Sequence, residues 1–182
     1  MTNEINIVIG SWGSYNACNE RALGSEWLDL SDYESWDEIA EELKNQGFKL
    51  RGIDEELFVQ DIEGIPSGGV NWDYVNPKEL FETLKESGVL DDSRKYDVMC
   101  AYLEVRSFSD FEENVRNRGD RWDEDIHLYK GYSWEDYGRE MFDCNCYQME
   151  EHLQDFFDFE AYGRYMGGCA EEYSGGIIEI YR

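Results

Sequence analysis

Histidine, proline and positive charge are all scarce in this chain. Its 182 residues contain two His and two Pro, and 16 Lys and Arg stand against 42 Asp and Glu. With only His127 and His152, no Ser/His/Asp relay can be argued from spacing. No stretch of about 18 apolar residues is present to cross a membrane. Met1 to Ile9 lacks the basic start and long apolar run of a secretory signal. The cysteines are five, an odd number, scattered at 18, 100, 144, 146 and 169. Without a secretory context they read as reduced thiols, and the expected location is the cytoplasm.

What is abundant is acid and aromatic area. The formal net charge is −26, far beyond the magnitude of about 2–8 expected of a small soluble domain. Acidic chains poor in rings stay disordered, but this one has 6 Trp, 13 Tyr and 9 Phe, enough to build cores. Folded and strongly acidic is the combination to explain. A field of this sign repels nucleic acid and anionic membrane as direct partners and attracts basic proteins or cations.

Along the chain, Ile5 to Trp12 reads as a strand, and Gly24 to Leu30 as a second one anchored by Trp27 and Leu30. Ser35 and Glu38 match a capping box that opens a helix with an inner face of Trp36, Ile39, Ala40 and Leu43 and a stop at Gly47. Leu57 to Ile62 is a third strand. Ser67-Gly68-Gly69 is a plausible hinge. Asn76-Pro-Lys-Glu79 is a strong helix start, with Gly88 as its end, and Tyr96 to Val105 is a second helix. A helix around Phe111 and Val115 ends at Gly119. It is followed by a strand at Ile126 to Tyr129, a helix from Ser133, a helical Met149 to Phe157, and a closing strand, Ile177 to Tyr181, after the Gly175-Gly176 turn.

The expected fold class is α+β, an elongated chain of three small domains. These are residues 1–66 (α+β), 67–107 (all-helical) and 108–182 (α+β). Basic against acidic residues number four to fifteen, five to eight and seven to nineteen in the three segments, for net charges of −11, −3 and −12. The charge is therefore spread along the body rather than held in one tail.

The stretch Ser133 to Asn145 carries a near capping box, Ser133 with Asp136. Tyr137 and Met141 lie one helical turn apart, Trp134 and Phe142 add apolar area, and the rest is acid. It reads as a core-packing helix or a contact helix, and neither reading makes it a catalyst. Cys144-Asn-Cys146 with His152 and Cys169 lacks the paired spacing of a zinc site. Asp120 to Asp125 lacks the spacing and glycine of a calcium loop. No metal, cofactor or enzymatic activity is expected. The number of carboxylates points instead to imitation of a nucleic-acid backbone. A charge of −26 equals the phosphates of roughly 13 base pairs, and a dimer would present about 26.

Several segments resemble the ArdA-type antirestriction proteins. They are Ile7-Val-Ile-Gly-Ser-Trp-Gly-Ser-Tyr-Asn16, Leu23-Gly-Ser-Glu-Trp-Leu-Asp-Leu30, Phe58-Val-Gln-Asp-Ile-Glu-Gly64, Glu135-Asp-Tyr-Gly-Arg139 and Phe156-Phe-Asp-Phe-Glu-Ala-Tyr-Gly-Arg164. Their order covers nearly the whole chain. The resemblance implies three small domains along a curved rod and a homodimer whose acidic surface imitates bent DNA. The implied target is the DNA-binding groove of type I restriction–modification enzymes, on their specificity and methyltransferase subunits, so that a mobile genetic element escapes restriction. Ser133 to Asn145 resembles the family's antirestriction motif, which implies dimer contact through Trp134, Tyr137, Gly138, Met141 and Phe142. A C-terminal tail beyond the shorter family members and the Cys144-Asn-Cys146 pair depart from the pattern.

The carboxylates singled out as the imitating surface are Asp29, Asp32, Glu34, Asp37, Glu38, Glu41 and Glu42 near the N-terminus. Toward the C-terminus they are Asp110, Glu112, Glu113, Asp120, Asp123, Glu124, Asp125, Glu135, Asp136 and Glu140. The alternative reading is an acidic adaptor or chaperone for a basic nucleoid or transcription protein.

Overall fold

A computed structural model describes residues 3–66, 70–145 and 147–181. The chain forms two compact units, Met1–Trp122 and Asp123–Arg182, and its class is mixed α+β. The hinge expected at Ser67 to Gly69 lies outside the described residues, as does Cys146.

The first unit starts with β1 (Asn6–Ser11), all but one of whose side chains are buried. β1 runs into a short α1 (Trp12–Asn16) capped by Ser11, whose hydroxyl accepts from the Ser14 N–H. β2 (Leu28–Asp29), α2 (Trp36–Asn45) and β3 (Leu57–Glu63) follow. The sheet order is β2-β1-β3, all antiparallel. A bulge at Val8/Ile9 shifts the β1–β3 register, so that Val8 faces Asp61 and Ile9 faces Val59. Trp12 stacks on Phe58 with ring centroids 4.1 Å apart.

The helical part of this unit comprises α3 (Pro77–Ser87), α4 (Ser93–Val105) and α5 (Phe108–Arg118). Asn76 caps α3 with Pro77 at its first position, and Gly88 ends it in the left-handed conformation. Asp92 caps α4, and Ser107 with Asp110 forms a complete capping box on α5. The core between these helices is aromatic. Trp122 is wholly buried, donates its indole N–H to the Ser87 carbonyl at 3.1 Å, and meets Phe111 edge-on at 4.9 Å. α5, which the sequence reading set at the start of its third segment, therefore packs inside the first unit.

The second unit contains β4 (Ile126–Lys130), α6 (Trp134–Cys144), a single turn α7 (Glu151–Gln154), α8 (Phe159–Met166), β5 (Ala170–Tyr173) and β6 (Gly176–Ile180). Its sheet order is β4-β6-β5, antiparallel throughout. β6 is central, which buries Ile177, Ile178 and Glu179. α6 and α8 cross at Gly138 and Gly163. A Cβ on Gly138 would collide with the Phe159 carbonyl oxygen and lie 2.9 Å from the Gly163 nitrogen. Arg139 and Arg164 cover the crossing from outside, lying over the Phe159 and Trp134 rings.

Three sequence expectations change. Gly24 to Leu30 is mostly irregular: only Leu28–Asp29 pairs as strand, and Trp27 is 46% exposed rather than an anchor. Gly24 sits at positive φ, and Gln46 binds the Glu26 N–H from its side chain, which takes that donor out of any ladder. Ser35 caps α2 without a side-chain bond. Glu38 instead accepts from the Glu34 N–H at 2.8 Å, so the capping box does not close. Met149 to Phe157 supplies one helical turn. The Phe157 ring is drawn against Phe142 and Tyr162, and Asp158 starts α8 by accepting from the Ala161 N–H.

The close crossing yields a test. Gly138→Ala is expected to destabilise the second unit by about 1–3 kcal/mol or more through overpacking against backbone. Urea unfolding followed by far-UV circular dichroism would read it, and an unchanged midpoint would contradict the packing.

Candidate partner-binding surface

The fold sorts the 42 acidic residues into two classes. Three are buried, Asp54, Asp123 and Glu179, and the others reach solvent at least in part. A buried carboxylate needs partners, and Asp54 and Glu179 show theirs.

Asp54 is inaccessible to solvent. It accepts from the Ser14 hydroxyl at 2.5 Å and the Lys49 N–H at 3.0 Å, with Arg21 Nε 3.7 Å away. Burial pushes its carboxyl up. The hydrogen bonds from Lys49, Ser14 and Ser11, together with the Arg21 charge, outweigh burial and hold it below the ordinary value. Glu179 accepts from the Tyr129 hydroxyl at 3.0 Å and from the Tyr137 hydroxyl. Burial first, then the bond to Glu179 and its charge, raise both phenols, so both stay protonated donors.

The sequence-predicted surface residues separate on the same basis. Asp32, Glu34, Asp37, Glu38 and Glu41 are exposed on and before α2, while Asp29 and Glu42 are half-buried. Ile39 and Leu43 hold the opposite face of α2 in the core. Asp110 and Glu113 are exposed on α5, with Glu112 half-buried beside them. Asp120, Glu124, Glu135, Asp136 and Glu140 are exposed, and Asp125 is half-buried. Asp123 is the correction: it is 3% exposed and presents nothing to a partner. Asp110 and Asp136 also close capping boxes with Ser107 and Ser133, so each carboxylate is fixed in direction. Helix-start bonding, with Ser133 as its largest contributor, holds Asp136 below the ordinary carboxylate value.

Some of these charges are met by salt bridges within the chain. Glu34 meets Lys85 at 3.2 Å, Glu41 meets Lys44 at 2.5 Å, and Glu135 meets Arg139 at 2.8 Å. Even if all 16 basic residues paired, 26 carboxylates would keep no countercharge from their own chain. Exposed pairs of this kind are worth about 0–1 kcal/mol each. The surface as a whole is therefore an unneutralised anionic one.

The dimer-contact candidates lie largely inward. Tyr137 is wholly buried, Trp134 and Phe142 are 9% and 7% exposed, Gly138 is buried against α8, and Met141 is half-buried. Trp134, Tyr137 and Ile177 form the core of the second unit. The indole N–H of Trp134 donates to Glu172 at 3.1 Å. Among the described residues no group of His, Cys, Asp and Glu gathers to hold a metal ion, and no helix is long and apolar enough to cross a membrane. Sequence reasoning passed over Asp54 and Glu179 as special. The alternation Ile177, Glu179 places that glutamate on the core-facing side of β6 and was the available signal.

Two small antiparallel sheets and their helices, sealed by rings and carrying almost all their carboxylates outward, define an acidic α+β protein. The family model for the antirestriction protein ArdA matches residues 7–179, and the chain belongs to that family. No curated protein matches it.

The buried acid gives a pH prediction. Because the folded carboxyl of Asp54 titrates below its ordinary value of 3.8, its stabilisation is present above that value and is lost as pH falls through the lowered one. Asp54→Asn should therefore lower stability most near neutrality, with the gap to wild type closing in acid. Thermal unfolding across pH would check this, and a gap that does not shrink in acid would count against an ionised Asp54.

Proposed function

We propose that this antirestriction protein acts as a DNA mimic, occupying the DNA-binding groove of a type I restriction–modification enzyme on its specificity and methyltransferase subunits. The observation that carries this reading is the 26-charge excess displayed outward on folded units. A groove lined with Lys and Arg that normally releases counterions on binding phosphates would gain in the same way from these carboxylates. Membership of the antirestriction family supplies the class of partner. The working form is a homodimer in the cytoplasm of a cell receiving a mobile genetic element. Among the candidate contact residues on α6, Met141 has partial exposure to offer a second copy. The three-segment division at 66/67 and 107/108 belongs to the same proposal.

Such imitation distributes affinity over many weak charge pairs, each about 1 kcal/mol or less when exposed. Added to a type I methyltransferase bound to labelled duplex, the protein is expected to displace the duplex stoichiometrically and to lose affinity steeply with salt. Substituting any one of Asp37, Glu41, Glu113 or Glu140 by Ala should change displacement by less than about fivefold. No displacement at low salt by folded protein would favour the acidic-adaptor reading. One single substitution that abolishes inhibition would overturn the distributed model.

A further inference from the structure

The second unit contains one helical pattern twice. Ser133 to Met141 reads Ser-Trp-Glu-Asp-Tyr-Gly-Arg-Glu-Met, and Asp158 to Met166 reads Asp-Phe-Glu-Ala-Tyr-Gly-Arg-Tyr-Met. The two copies, at α6 and α8, are used alike. Ser133 and Asp158 each cap their helix by accepting from the N–H three residues on. Glu135 pairs with Arg139, and Glu160 with Arg164. Each arginine lies over the first ring of the other helix, and each glycine leaves room for the carbonyl of that same ring residue. The contacts are reciprocal, as across a twofold axis.

Where the copies differ, they differ on the outside. The exposed Asp136 and Glu140, one turn apart on α6, correspond to the exposed Ala161 and Tyr165 on α8. The same scaffold thus carries two acids on one helix and a methyl group and a ring on the other. Tyr165 is 82% exposed. In the turn leading into α8, Leu153 and Phe156 are exposed as well, Phe156 at 87%, while the next ring, Phe157, packs on Phe142 and Tyr162. Of the neighbouring acids, Asp158 is turned onto the Ala161 amide and Glu160 onto Arg164.

Charge limits what can cover this face. The net charge of −26 turns away nucleic acid and anionic lipid. A basic protein gains most from the acidic outer face of α6 and little from a face whose acids are replaced. A second copy of this chain has the opposite requirement. Two chains that each carry −26 repel wherever their acids meet and approach best where acid is missing.

We propose that the outer face of α8, with Tyr165 at its centre, is the surface on which a second copy of this chain docks, each copy presenting the same face to the other. The contact is thereby on α8 and not on the aromatic stripe of α6, which packs into the unit's own core. The inference rests on the proposed function for the existence of the homodimer and adds where it forms. Tyr165 and Phe156 from two copies bring on the order of 600 Å² of ring surface, which suits a weak, concentration-dependent dimer rather than an obligate one.

Sedimentation equilibrium of the full chain decides it. The expected result is a reversible monomer–dimer equilibrium that tightens several-fold between about 50 mM and about 500 mM NaCl, because salt screens the repulsion between copies. A161D/Y165E rewrites the outer face of α8 as that of α6 and should weaken the dimer by about tenfold or more. Y165S, which adds no charge, should weaken it about fivefold. The control N16D/N45D adds the same charge to the first unit and should weaken it no more than about twofold. A wild-type dimer that both α8 variants leave unchanged, or one that loosens as salt rises, would overturn the docking face and leave the homodimer standing. Wild type that stays monomeric throughout would overturn both, and duplex displacement would still decide the mimicry.

Discussion

Electrostatic self-repulsion is the constraint on which everything else in this molecule depends. A chain with 42 carboxylates and 16 cations gains by swelling unless apolar burial outweighs the repulsion. The response is visible in both units. The cores are dense in rings: Phe111 and Trp122 in the first, Tyr137, Trp134 and Phe142 in the second. Acids that must lie inside are tied to hydroxyls and amides, as Asp54 is to Ser14 and Lys49 and Glu179 to Tyr129 and Tyr137. At helix starts, carboxylates bond to otherwise unpaired amides and sit where the helix dipole favours them. The remaining charge is directed into water, where it is available to a basic surface.

The parts of the fold that were legible were those governed by local chemistry. The starts of α3 and α6 could be read because Asn76-Pro77 and Ser133…Asp136 satisfy backbone amides within four residues. Gly88 marked an end because the chain there needs positive φ. What was missed depends on distant partners. α8 was not seen because its pattern is broken by Gly163, whose role exists only against Gly138 of another helix. β5 was not seen because its middle, Glu171-Glu172, lacks the apolar alternation of a strand and is held by pairing with β6. Trp27 looked like a strand anchor because it is large and apolar, yet the pairing stops at Leu28.

The candidate surface shows the same division. The excess of acid and its spread over the chain could be counted directly, and α2 could be assigned an outer face from its 3.6-residue period. Which carboxylate turns inward could not, because Asp123 follows the buried Trp122 into the interior for tertiary reasons. The stretch from Ser133 was legible as an amphipathic helix. Its aromatic stripe is spent on the unit's own core, so its outward contribution is the acidic face of Glu135, Asp136 and Glu140.

The edge of the second sheet bears on how this protein meets other chains. β5 is an outermost strand in the order β4-β6-β5, and such a strand offers unpaired backbone groups to any passing strand. Its two central residues are both glutamate, one on each face of the sheet. A second copy aligning there would set like charges opposite one another at close range, which is destabilising. Growth by strand addition into fibres is thereby discouraged at this edge, where the charge of two side chains guards backbone groups that carry none.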